Sequence, residues 1–216
     1  ARIRLMWTDL QPESNYYDWD TKKVTIPESW HQATQWLYDG IWKDHFIPST
    51  TYAASELFGN GGDNVFQSGH LAMAVVPLWY TCCLGDSVGK FEWDFGVVPQ
   101  SLDGETHVAM DADTFRIVKT SAHPDEAFTV LTYLLGDAAL ELAQTYGAFP
   151  ARIDIQQPYI DARNETFDWG INWDVVKEAV AYVNPANEHH ESNLPNWSKV
   201  YDREFTFQTL LFGDTG

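Results

Sequence analysis

The side chains with chemistry to offer in this sequence are aromatic and acidic. Trp79 and Tyr80 come at the end of FQSGHLAMAVVPLW, Phe66 to Trp79, where a polar turn, Gln67-Ser68-Gly69-His70, opens into the apolar run Leu71 to Val76. Asp111 and Asp113 stand in the loop Met110-Asp111-Ala112-Asp113, directly before TFRIV, Thr114 to Val118. Indole and phenol rings present flat apolar faces with a polar edge, and carboxylates accept hydrogen bonds. Such groups suit a cleft for a small ring-bearing ligand. Trp79 either lines that cleft or packs in a core, and the aspartates either face it or form a solvated acidic loop.

Other chemistries find less support. With 31 Asp and Glu residues some carboxylate pair can always be drawn, so composition does not argue for glycoside hydrolysis. No Ser-His-Asp or phosphate-loop pattern occurs. The cluster Glu188-His189-His190-Glu191 holds metal-ligand types, but adjacent histidines lack the spacing that lets both reach one ion. Asp18-x-Asp20 and Asp111-x-Asp113 are too short for a helix-loop-helix calcium loop. Neither a metal nor another cofactor is expected. Cys82-Cys83 are the only cysteines, which excludes a scaffold of structural disulfides, and two reduced, packed thiols are expected. Sequons occur at Asn164-Glu165-Thr166 and Asn196-Trp197-Ser198.

The net charge of −18 argues against nucleic acid and anionic membranes, which require clustered Lys and Arg. It suits a neutral or cationic ligand. An apolar content of 44% over 216 residues is enough for one large or two small domains. Ten tryptophans exceed what a single core would use. No stretch is long enough to span a bilayer, and no signal peptide is recognisable.

Positioning these groups requires a frame. Leu71 to Val76 reads as a strand buried on both faces, delivering Pro77 and Trp79 to its end, where ligands of open α/β sheets sit. Phe91 to Pro99 and Thr114 to Val118 read as further strands. Ile3 to Trp7 is a strand or a helix end, and Asp9 to Lys23 a loop with room for a hairpin around Asn15 to Asp20. Pro27 and Glu28 start a helix whose stripe is Trp30, Ala33, Thr34, Leu37 and Ile41, with Trp30, Trp36 and Trp42 packing. A weaker helix spans Tyr52 to Phe58. His123 as cap, Pro124, Asp125 and Glu126 sign another, with Ala127, Val130, Leu131 and Leu134 buried and Gly136 as its stop. Ala138 to Tyr146 follows, ending on Gly147. Asp154 to Trp173 reads as aromatic loop, Asp174 to Val183 as a helix, and Pro195 to about Leu211 as the last helix. Alternating strands and helices give an α/β class.

Three segments, in order, resemble one family. FQSGHLAMAVVPLW is similar to the signature of the extracytoplasmic solute-binding proteins of ABC importers, sugar-binding branch, through Phe66, Gly69, Ala72, Met73 and Trp79, with Pro77 where glycine is common. FEWDFGVVPQSLDG resembles the family's crossing strand. IVKTSAHPDEAFTVLTYLLGDAALELAQTYGAFPAR resembles its first-lobe helix and the trailing G-x-x-P-x-R.

The resemblance implies a fragment of a periplasmic-binding-protein type II-like α/β fold, most of the second lobe plus part of the first. Residues 1–98 would be second lobe, 99–150 first lobe between hinge crossings, and 151–216 the second lobe's C-terminal helices. It implies a non-enzymatic, extracytoplasmic subunit, in the periplasm or lipid-anchored outside the cytoplasmic membrane. Its partners would be a sugar or oligosaccharide and the permease subunits. Trp79 and Tyr80 would stack on the sugar, Trp197 falls near another stacking tryptophan of the family, and Asp111 and Asp113 would accept hydroxyls. A carbohydrate-active enzyme, or a binder of peptides or polyamines, is the alternative.

Overall fold

The computed structural model describes residues 17–18, 20–24, 28–59, 65–100, 104–108, 110, 112, 114–183 and 196–213. Helices dominate. The α-helices are α1 (Glu28–Trp42), α2 (Thr50–Ala53), α3 (Pro124–Leu135), α4 (Ala139–Tyr146), α5 (Gln156–Thr166), α6 (Asp174–Ala179) and α7 (Trp197–Phe212). Short 3-10 turns run over Glu56–Phe58, Val65–Ser68, Leu78–Cys83, Gly85–Ser87, Ile153–Ile155 and Val180–Tyr182. The only strands among the described residues are β1 (Tyr17–Asp18) and β2 (Lys23–Val24), paired antiparallel with Tyr17 opposite Val24. One isolated parallel bridge joins Val108 to Val183.

This overturns the α/β, periplasmic-binding-protein type II-like expectation. Leu71 to Val76 is irregular chain, half-exposed at Leu71 and exposed from Ala72 onward, with Met73 85% exposed. Phe91 to Pro99 and Thr114 to Val118 likewise form no ladder. The physical reason is common to all three. A strand needs a partner to take its N–H and C=O groups, and no described segment forms a backbone ladder with any of these.

The chain gathers into two compact units, one from 1–74, 97–110 and 177–216, the other from 75–96 and 111–176. In the first, α1 follows its apolar stripe: Trp30, Ala33, Leu37 and Ile41 are buried, while Trp36 points outward and meets the ring of Phe46 at 5.3 Å. Burying a leucine of this kind stabilises by roughly 2 kcal/mol. Leu37 packs with Leu211 of α7, flanked by Ile47, Phe207 and Phe212. The Trp42 indole N–H donates to the Leu211 carbonyl at 2.9 Å, tying the two helices at the end of the stripe. The weaker helix is split: α2, capped by the Ser49 hydroxyl accepting from the Tyr52 N–H, gives way to a 3-10 turn that buries Phe58.

In the second unit, α3 begins on Pro124 with Asp125 and Glu126 in its first turn. The His123 side chain makes no capping bond, however, and none of the expected inward residues is buried, Val130 being 57% exposed. α4 ends on Gly147 at φ +89°, the left-handed geometry that favours glycine. The expected loop from Asp154 instead contains α5. Its composition is weakly amphipathic, and burial of Tyr159 and Ile160 against the unit's interior holds it. That interior is aromatic: Trp93, Tyr159, Phe167 and Trp173 are all buried, with Trp93 5.0 Å from Phe167 and Tyr159 5.8 Å from Trp173, edge to face. Each such contact adds about 1 kcal/mol beyond area burial. The helix expected from Asp174 to Val183 is α6, continued by the 3-10 turn Val180–Tyr182.

Candidate functional site

Of the sequence-expected site residues, Trp79 and Tyr80 belong to the second unit and Trp197 to the first. Trp79 and Tyr80 are placed together, but on a 3-10 turn, Leu78–Cys83, and not at a strand's end. Trp79 is 39% exposed and its ring lies 6.4 Å from that of Tyr80. Asp111 and Asp113 lie outside the described residues, as do His189 and His190. Trp197 is the first residue of α7, after Asn196 in a left-handed conformation.

The Leu78–Cys83 turn is held from behind. Thr81 is buried and its hydroxyl donates to the Gly147 carbonyl at 3.0 Å. The backbone of the turn presses on Gly147, where an added Cβ would sit 2.5 Å from the Trp79 oxygen and 2.8 Å from the Cys82 nitrogen. Glycine is needed there for both reasons, conformation and space. Burial and then the neighbouring Cys83 push the Tyr80 phenol up from 10.0 to about 12, so it stays protonated at neutral pH. The Cys82 and Cys83 sulfurs are 3.1 Å apart, and Cys82 is exposed, not packed as expected. Its thiol is pushed up to about 11, by desolvation first and then by the bond to Cys83 and the repulsion between paired thiolates, with Arg163 pulling weakly the other way.

A second feature of the same unit was not visible in the sequence reading. Val88, Gly89, Lys90, Phe91 and Glu92 face Asp168 and Trp169 across a cleft of about 360 Å³. Its first wall is a turn that starts from the fully buried Ser87, whose hydroxyl donates to the Leu84 carbonyl and whose own carbonyl accepts from the N–H groups of Lys90 and Phe91. Gly89, at φ +76°, provides the left-handed step that the turn requires. The second wall follows α5, on the turn Asp168–Gly170.

Two side-chain bonds hold the walls in register where a sheet would have used a ladder. The Trp169 indole N–H donates to the Trp93 carbonyl at 2.8 Å. The Asp94 carboxylate accepts from the N–H of Asn172 and from that of Phe95, both at 2.8 Å. Trp169 is braced further by the rings of Phe167 at 5.4 Å and Trp93 at 6.1 Å. Its ring is therefore fixed before any ligand arrives, which lowers the entropic cost of stacking.

The cleft combines two aromatic rings, two carboxylates and one ammonium. Chemically that is an apolar surface rimmed by acceptors and a donor. The signal that would have found it is a repeated triplet, Phe91-Glu92-Trp93 and Phe167-Asp168-Trp169. In each triplet the acid is exposed, while Trp93 and Phe167 go into the core against each other. Among the described residues no group of three or more His, Cys, Asp or Glu side chains is placed to hold a metal ion, and no helix is long and apolar enough to cross a membrane. No protein family, curated protein or solved structure matches this chain.

Proposed function

We propose that this chain binds a neutral sugar or oligosaccharide and passes it on chemically intact, as the extracytoplasmic capture subunit of an ABC importer. The observation that carries the binding step is the cleft between Val88–Glu92 and Asp168–Trp169. Sugars offer apolar C–H faces and a rim of hydroxyls, and the braced Trp169 with Phe91 answers the first while Glu92, Asp168 and Lys90 answer the second. The delivery step rests on the three sequence segments alone. No two-lobed closure is part of this reading.

The test is a titration of the chain with a panel of neutral mono- and oligosaccharides, followed by tryptophan emission. Saturable change with one sugar supports the reading when Trp169→Ala weakens binding at least about tenfold, which is ~1.4 kcal/mol. A folded protein that responds to no sugar rejects it. One observation favours a hydrolytic alternative: two carboxylates, Glu92 and Asp168, line the same cleft. Recovery of shortened sugar after incubation, abolished by Glu92→Gln or Asp168→Asn, would decide for the enzyme.

A further inference from the structure

The pair Cys82-Cys83 has a geometry that neither the cleft nor the fold explains. The 3-10 turn that carries it is fixed at both flanks: Thr81 and Leu84 are each only 3% exposed, and the Leu84 N–H bonds back to the Thr81 carbonyl. Between these anchors the two cysteines form the outward part of the turn, Cys82 exposed and Cys83 half-buried. Their sulfurs converge to 3.1 Å. They are also the only cysteines of the chain, so any disulfide within one molecule must join them to each other.

We propose that Cys82 and Cys83 form a modification site, an oxidisable vicinal dithiol that closes reversibly to an intramolecular disulfide by exchange with a low-molecular-weight disulfide. The Cys82 thiolate, the more accessible one, attacks one sulfur of the oxidant. A mixed disulfide forms, and the first small thiolate leaves and takes up the proton that Cys82 lost. The Cys83 thiolate then attacks the Cys82 sulfur and expels the second small thiolate, which takes up the Cys83 proton. Two protein thiols are oxidised to one disulfide, and one small disulfide is reduced to two thiols.

Two physical terms set the behaviour of this site. Residues joined by a trans peptide have Cα atoms about 3.8 Å apart, below the roughly 4.4–6.8 Å usual for disulfides. The ring is therefore strained and easily reduced, which places it with labile disulfides and not with structural ones. The thiolate is the attacking species, and Cys82 is held largely as the thiol at neutral pH, so closure speeds up as pH rises. Trp79 lies on the same turn and its backbone oxygen faces Gly147 beside Cys82, so its emission should report the closure.

The test treats the intact chain with oxidised glutathione at mildly alkaline pH and reads the mass and the alkylatable thiols. The expected product is lighter by the mass of two hydrogens, about 2 Da, with both thiols lost together and both restored by dithiothreitol. Cys83→Ser should stop at the first step and keep glutathione on Cys82. A wild-type chain that retains a stable glutathione adduct, that forms a disulfide-linked dimer, or that keeps both thiols overturns the proposal. The wild-type measurement alone decides, so a poorly folding variant does not blunt it. None of these readouts involves a sugar.

Discussion

The Tyr159 hydroxyl donates to the Gly147 carbonyl at 2.6 Å, with both residues buried. The same oxygen accepts from Thr81 Oγ1 at 3.0 Å, so both of its lone pairs are used. One carbonyl at the end of α4 thus joins α5 to the turn that carries Trp79, Tyr80 and the two cysteines.

Gly147→Ala should destabilise the protein by at least ~2 kcal/mol, since a residue forced to positive φ costs on the order of 1–3 kcal/mol before any clash is counted. The clash adds to it, with the Trp79 oxygen only 2.5 Å from the new Cβ. Gly59→Ala is the control: φ is +78°, and nothing lies within 4 Å of its Cβ. Urea unfolding of the two variants should separate them clearly. Equal losses would show that conformation alone, and not the close approach of the turn, makes Gly147 necessary.

Tyr159→Phe removes one donor from the shared carbonyl and leaves Thr81 in place, so the expected loss is about 1 kcal/mol. Thr81→Val should behave alike. In the double variant the buried Gly147 carbonyl has lost both of these donors, and the loss should exceed the sum of the single ones. Strict additivity in a denaturant double-mutant cycle would mean that the two bonds are independent.

Alkaline pH should weaken the fold through Tyr80. Its folded pKa is raised from 10.0 to about 12, so between these values the unfolded chain gives up a proton that the folded chain keeps. The stabilisation is fully present below pH 10.0 and is lost as pH rises toward about 12. Tyr80→Phe should flatten that part of the stability profile relative to the wild type. The difference between the two proteins across this window, followed by thermal unfolding, is the measurement; parallel curves would contradict the burial of the phenol.

Leu37→Ala should cost about 2–5 kcal/mol, because it opens a cavity where α1 meets α7. Met73→Ala, in the apolar run that has no strand partner, should change stability by no more than ~0.5 kcal/mol, since Met73 is 85% exposed. A large loss at Met73 would restore the buried-strand reading of Leu71 to Val76.

Local signals marked α1, α3 and α4, whereas α5, which reads as loop, is held by the burial of Tyr159 and Ile160. The stripe Trp30, Ala33, Leu37, Ile41 of α1, Pro124 with its acidic first turn at α3, and Gly147 at the end of α4 all act within a few residues of themselves, because helical hydrogen bonds close inside the segment. What tertiary structure alone decided is which apolar runs pair and which faces are covered. Leu71 to Val76 and Thr114 to Val118 have strand-like composition, yet a strand exists only if distant chain supplies its ladder, and none of the described chain does so here. The covering of α3 depended in the same way on distant chain, which left Val130 outside. The cleft shows the converse. Its walls are brought together by Trp169 bonding to Trp93 and Asn172 to Asp94, contacts that span 76 and 78 residues of sequence. The two aromatic–acid–tryptophan triplets were present in the sequence, but their meeting is a property of the folded chain.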